Sequence, residues 1–158
     1  MVIPKKIRAF LNENKINYEL IYHPRVYTAQ ETAARTHTKG KEFAKTVILL
    51  ADGKYCMMVL PAIYSLDLSK VRKALKAKRV NLASEEEMET ICPDCEVGAM
   101  PPFGPLYELP VYIDRHLTED QMITFNAGSH EHAIRMFYKD FEKLVKPQIV
   151  DIVGEHVS

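Results

Sequence analysis

The sequence predicts a single α+β domain over residues 1–158, and three observations carry that expectation. Apolar residues recur at helical spacing in some segments and form β-branched strand runs in others. Two pairs of strand runs are separated by short glycine-containing turns, so strands adjacent in sequence should pair antiparallel. The order of elements lacks the regular βαβ alternation that a doubly wound parallel sheet requires.

Each expected element has a local cause. Over residues 4–14, Ile7, Phe10 and Leu11 share one helical face, and Pro4 suits a first turn. Tyr18-Glu19-Leu20-Ile21-Tyr22 reads as a short strand closed by His23-Pro24. Thr28-Ala29-Gln30-Glu31 has the spacing of a capping box, and an Ala-rich helix follows to about Arg35. Residues 36–41 are polar and end that helix. Residues 43–50 and 55–60 are strands around Asp52-Gly53, a strong hairpin signal. Leu68, Val71 and Leu75 line one face of a helix, and Ser84-Glu85-Glu86-Glu87 caps a second, acidic helix reaching about Ile91. Regular structure is excluded over residues 98–105, because proline lacks a donor and glycine permits unusual backbone angles. Val111-Tyr112-Ile113 resumes as a strand. Residues 122–127 and 132–137 form a last hairpin through Gly128-Ser129-His130-Glu131, and a helix over 140–146 stops at Pro147. No internal repeat, low-complexity tract or long linker divides the chain.

Composition narrows the function classes. Apolar residues make up 47% and charged residues 27%, the balance of a globular domain. No apolar run approaches the roughly 20 residues that span a bilayer, so no membrane partner is expected. The start Met1-Val2-Ile3-Pro4-Lys5-Lys6 turns polar at once, unlike a signal peptide. Three cysteines fit a reducing compartment, and the cytoplasm is the expected location. Basic and acidic residues balance at 21 each, which argues against a strongly basic nucleic-acid binder. Lys70, Arg72, Lys73, Lys76, Lys78 and Arg79 nevertheless cluster ahead of Glu85, Glu86, Glu87 and Glu89. That basic run is either a solvated helix face or a phosphate-holding patch.

Four constellations could carry chemistry. Lys45 interrupts an apolar strand, so it either points to solvent or stands at a cavity mouth as a cation for a phosphate or an ester carbonyl. The loop from Gly98 holds two glycines and three prolines in eight residues, a rigid connection or a presenter of N–H donors to an oxyanion. Gly128-Ser129-His130 sets a histidine beside a serine without the G-x-S-x-G elbow of a serine hydrolase. His130 is better suited to orienting a water or touching a substrate. Cys92-Pro93-Asp94-Cys95 is a C-x-x-C without the further ligands of a zinc site at recognisable spacing, so incidental cysteines, zinc binding and redox chemistry all stay open.

The order of these features resembles the YbaK/EbsC family, whose domain also occurs inserted in bacterial prolyl-tRNA synthetases. The resemblance rests on Thr28-Ala29-Gln30-Glu31, Lys45-Thr46-Val47, Leu66-Asp67-Leu68-Ser69-Lys70-Val71, Val97-Gly98-Ala99-Met100-Pro101-Pro102-Phe103-Gly104, Phe125-Asn126-Ala127-Gly128-Ser129 and Asp140-Phe141-Glu142-Lys143-Leu144, in that order. It implies an α+β fold whose mixed, mostly antiparallel sheet curls toward a barrel with helices around it. It also implies a trans-editing deacylase that hydrolyses the ester of a mischarged tRNA, without metal or other cofactor. Lys45, Gly98 and His130 take the catalytic positions. Tyr27, Thr28, Thr46, Ala99, Met100, Pro101, Pro102, Gly128 and Ser129 take substrate-binding ones. The implied partners are the acceptor end of tRNA and, as an option, an aminoacyl-tRNA synthetase. The loop reads Gly98-Ala99-Met100-Pro101-Pro102 where the cysteinyl-tRNA(Pro) deacylase branch has Gly-Gly-Ile-Ser-Pro, which widens the expected substrate to any small amino acid. A non-catalytic module that binds aminoacyl-tRNA or a synthetase is the alternative.

Overall fold

The computed structural model describes residues 3–156. Helix α1 (Lys5–Glu13) follows Pro4 and buries Ile7 and Leu11. Strand β1 (Tyr18–Tyr22) leads to α2 (Ala29–Arg35). The expected capping box is complete there: Glu31 N–H donates to Thr28 Oγ1 at 3.1 Å, and Thr28 N–H donates to the Glu31 carboxylate at 3.3 Å. Strands β2 (Ala44–Ala51) and β3 (Lys54–Pro61) pair antiparallel in register from Ala44–Pro61 to Ala51–Lys54. Their turn places Asp52 at φ 49° and Gly53 at φ 82°, the two left-handed residues that match the twist of a hairpin. Strand β4 (Tyr64–Leu66) precedes α3 (Leu68–Leu75), whose first turn is capped by the Asp67 carboxylate. Strand β5 (Val80–Leu82) and α4 (Glu85–Ile91) follow, then a 3-10 turn over Gly104–Tyr107 and β6 (Val111–Asp114). The chain closes with β7 (Met122–Asn126), β8 (His132–Phe137), α5 (Tyr138–Val145), β9 (Gln148–Val150) and β10 (Val153–His156).

These strands form mixed sheets in an α+β arrangement. One sheet has the order β1-β8-β7, a second is β10-β4, and the largest is β5-β2-β3-β6-β9. In the largest, β5, β2 and β3 pair antiparallel, whereas β3, β6 and β9 run parallel. The expected curl toward a barrel is not observed, since none of the three sheets closes on itself. The end strands of the largest sheet, β5 and β9, have three residues each and pair on one edge only among the described residues, so no ladder joins them. Among the described residues, the β7–β8 hairpin joins the large sheet through the bridge from Phe43 to Thr124. Strands β4, β5, β9 and β10 were not expected from the sequence. Each has three or four residues, too few to display an alternation.

Alternation along β2 and β3 sorts side chains onto two faces. Ile48, Met57 and Val59 join Phe103, Phe125 and Phe141 in the main core, while Leu49, Cys56 and Met58 pack with Val71 of α3. Phe103 sits centrally, 5.2 Å from the Phe125 ring and 5.4 Å from that of Phe10. No helix among the described residues is long and apolar enough to cross a membrane.

Candidate active site

Three irregular segments meet beside the paired ends of β1 and β8: residues 23–28, 95–102 and 128–131. Backbone bonds tie them together. Glu96 N–H donates to the Gly128 carbonyl and Gly128 N–H to the Ala99 carbonyl, both at 2.8 Å. His23 N–H donates to the Glu131 carbonyl at 2.9 Å. Two glycines make this geometry possible. Gly98 (φ 85°) is an exposed point of its loop, and Gly128 (φ 95°) lies so close to α1 that a Cβ would stand 2.7 Å from the Pro4 ring. Residues 99–102 turn inward, so Ala99, Met100, Pro101 and Pro102 are buried and anchor the loop in the core. Met100 and Phe103 belong to the main cluster.

His130 is buried against Gly98, with its Cε1 3.5 Å from where a Cβ on that glycine would lie. Its Nε2 is 2.8 Å from the Val97 carbonyl. A carbonyl only accepts, so in a neutral ring Nε2 carries the proton and Nδ1 holds the lone pair. Nδ1 is buried without a hydrogen-bond partner, and the exposed Tyr27 ring lies 4.9 Å from the imidazole. An imidazole acceptor held in one tautomer can take a proton from a water that reaches it.

Ser129 does not partner its sequence neighbour. Its buried hydroxyl accepts Glu131 N–H at 3.1 Å and lies 2.7 Å from Nδ1 of His132, also buried. His132 stood out in the sequence only as one of a His130/His132 pair that folding could bring to the cysteines; the turn between β7 and β8 instead brings it to Ser129. Thr28 is committed to its cap, its hydroxyl donating to Glu31 at 2.9 Å.

Lys45 lies in β2 opposite Leu60, half-buried and without an ion-pair partner among the described residues. Burial pushes its ammonium below the usual lysine range. Alternation puts Lys45 on the face of Val47 and Leu49, and Thr46 on the face of Ile48. Thr46, Gly98 and Met100 accordingly line one small cavity of about 20 Å³, which holds about one water, and Lys45 is not among its walls. Thr46 Oγ1 is buried there without a partner. The structure thus joins Gly98, His130, Tyr27, Gly128 and Ser129 in one cluster and Thr46 behind it, with Lys45 half-buried on the other face of its strand.

One group was not foreseen at all. The Arg25 guanidinium bridges two carboxylates, with Nη1 2.6 Å from Glu96 Oε2 and Nη2 2.9 Å from Glu131 Oε1. These contacts hold both carboxyls below the usual glutamate range, the Arg25 bond being the largest cause for each. Cys92 and Cys95 also line the cavity and are joined as a disulfide. Ligand atoms of Cys92, Asp94 and Cys95 lie within 4.8 Å of one another, but sulfurs in a disulfide offer no thiolate, so this trio fits a metal only when reduced. Cys56 is buried, and burial pushes its thiol up to about 11, the behaviour of an inert core cysteine.

The model of the aminoacyl-tRNA editing domain family matches residues 23–144. The chain belongs to that family. It is 27% identical over 145 residues to the prolyl-tRNA editing protein ProX of Acetoanaerobium sticklandii, covering 87% of each chain. It is 24% identical over 155 residues to the multifunctional Ser/Thr-tRNA deacylase ProXp-y of Escherichia coli, covering 95% of this chain and 92% of that one. A segment of the proline–tRNA ligase of Caldicellulosiruptor saccharolyticus is 29% identical over 111 residues, which is 70% of this chain and 18% of the ligase. Among solved structures, one described as a candidate trans-editing enzyme for prolyl tRNA synthetase superposes with a TM-score of 0.83 at 19% identity, covering 98% of this chain and 100% of that one. The same fold therefore recurs at low identity. In this member of the editing-domain family, residues 23–144 take in all three segments of the cluster.

Proposed function

We propose that the protein is a trans-editing aminoacyl-tRNA deacylase that hydrolyses the ester between a small, wrongly attached amino acid and the 3′ end of tRNA. Within a chain of the editing-domain family, one observation carries the reading: the exposed, left-handed Gly98 lies against His130, whose Nδ1 is an unpartnered buried acceptor. In this reading a water bonded to Nδ1 attacks the ester carbonyl and passes a proton to the imidazole. Ala99 N–H is engaged by the Glu96 carbonyl, while the Gly98 N–H has no partner among the described residues and is the donor for the developing oxyanion. Collapse expels the ribose hydroxyl, which takes the proton back from His130 and leaves free amino acid and tRNA. Lys45, an unpaired half-buried cation, receives a phosphate or polar group of the terminal adenosine, and Tyr27 offers an exposed ring to its base. An aminoacyl ester is already activated, so positioning and electrostatic stabilisation supply most of the acceleration. The reaction belongs in the cytoplasm, with tRNA as substrate and a synthetase as a further partner.

The test is a deacylation screen over tRNAs charged with alanine, serine, threonine, cysteine and proline. Turnover of at least one mischarged tRNA is expected, with losses of about 100-fold in kcat for His130→Ala and of about tenfold or more in kcat/KM for Lys45→Ala, both variants remaining folded. Binding of charged tRNA without hydrolysis across the panel would overturn the proposal.

A further inference from the structure

We infer that Arg25 is a positioning residue for this reaction: it locks the Gly98 loop to the Gly128-Ser129-His130 loop by bridging Glu96 and Glu131. The inference rests on the deacylase reading above and adds to it a residue that makes no contact with the reacting atoms.

The geometry is a fork between two carboxylates. Toward Glu96, Nη1 meets Oε2 at 2.6 Å and Nη2 meets Oε1 at 3.3 Å, a two-pronged contact. Toward Glu131, Nε and Nη2 both meet Oε1, at 3.1 and 2.9 Å. Each carboxylate in turn holds part of the site. Glu96 Oε1 accepts the backbone N–H of His130 at 2.9 Å, and Glu96 stands two residues before Gly98. Glu131 follows His130 directly, and its Oε2 accepts the Tyr22 hydroxyl at 3.2 Å. Arg25 itself belongs to the 23–28 segment, whose Tyr27 ring lies against the His130 imidazole. One planar cation therefore fixes the relative placement of all three segments, which is the use for which guanidinium suits better than ammonium.

Removing the cation changes more than one bond. Glu96 and Glu131 would be left facing each other as like charges, and the carboxylate that orients the His130 backbone would be free to turn away. Exposed ion pairs contribute little to overall stability, so the consequence falls on the alignment of His130 with Gly98 rather than on the fold. Small misplacements at a reacting centre are costly to rate, because attack requires near-contact geometry.

The test compares Arg25→Met and Arg25→Lys with the unsubstituted protein on the charged tRNA that the screen identifies. For Arg25→Met, kcat should fall by about tenfold to a hundredfold with KM unchanged within about twofold. The melting temperature should hold, and hydrogen exchange at the His130 amide should accelerate by about tenfold as its carboxylate acceptor is released. Arg25→Lys should recover part of kcat, since it keeps the charge but not the fork. A rise in KM at constant kcat would overturn the inference and make Arg25 a direct tRNA contact. Unchanged kcat and unchanged exchange would overturn it as well. If the unsubstituted protein hydrolyses none of the charged tRNAs, the deacylase reading falls and this role with it, whereas activity that is indifferent to Arg25 removes the role alone.

Discussion

The β2–β3 hairpin and the paired loops at Gly98 and Gly128 hold their backbones in place by different means. In the hairpin each residue has a cross-strand partner, from Ala44–Pro61 to Ala51–Lys54, and both faces are buried by apolar side chains. The loops have few such bonds. Their shape depends on two left-handed glycines, a buried histidine bonded to Val97, and an arginine shared by two glutamates. A ladder distributes its stability over many equivalent contacts, so it tolerates local change and leaves no backbone donor or acceptor free between paired strands. The loops leave Nδ1 of His130 and the Gly98 N–H unsatisfied, and those are the groups that chemistry can use.

Substitutions can break this contrast in order of expected size. Met58→Ala, in the fully buried hairpin, should cost about 2–5 kcal/mol in a urea melt through lost contacts and a cavity. Turnover per folded molecule should stay near normal. A lasting loss of kcat in the folded fraction would show that hairpin and loops are not separable. Gly128→Ala should cost about 2–3 kcal/mol, combining the strain of a left-handed alanine with the clash against Pro4. Gly53→Ala meets nothing within 4 Å and should cost only about 1 kcal/mol, from backbone strain alone. Equal losses at the two glycines would mean that α1 simply moves aside.

Acid should act on the loops and least of all on stability. The folded pKa values of Glu96 and Glu131 lie below their unfolded values, so the stability they contribute is complete above the usual carboxylate pKa and is lost as pH falls through the lowered folded one. Both groups are largely solvent-screened, so the melting temperature should change little. Between pH 5 and 7 these groups should leave kcat flat, with a decline only as pH falls through their lowered carboxylate range. A decline already under way between pH 5 and 6 that vanishes in Arg25→Met would mean that the bridge is weaker than its geometry implies.

Much of the fold was legible because its causes are local. The capping boxes at Thr28 and Ser84 and the Asp52-Gly53 turn each depend on residues within three positions of one another, and all three formed as expected. The closing helix starts at Tyr138 rather than residue 140, a boundary set by where β8 ends and not by any signal in the helix itself. The site was legible only in part. The glycines and His130 stood out by type and spacing, but the partner that Ser129 takes, His132, did not. Arg25 drew no attention, because its two partners are 71 and 106 residues away.

The sequence by itself determined the α+β class, the main helices and the central hairpin, since backbone preference and apolar period act over a few residues. It also placed the chain in the editing-domain family through the order of its motifs. Tertiary structure alone decided three things: that the strands divide into open sheets, that Lys45 and Thr46 leave β2 on opposite faces with only Thr46 in the cavity wall, and that one arginine joins two distant glutamates. Each depends on which distant segments meet, and that choice is made by the burial of the whole core at once rather than by any stretch of chain.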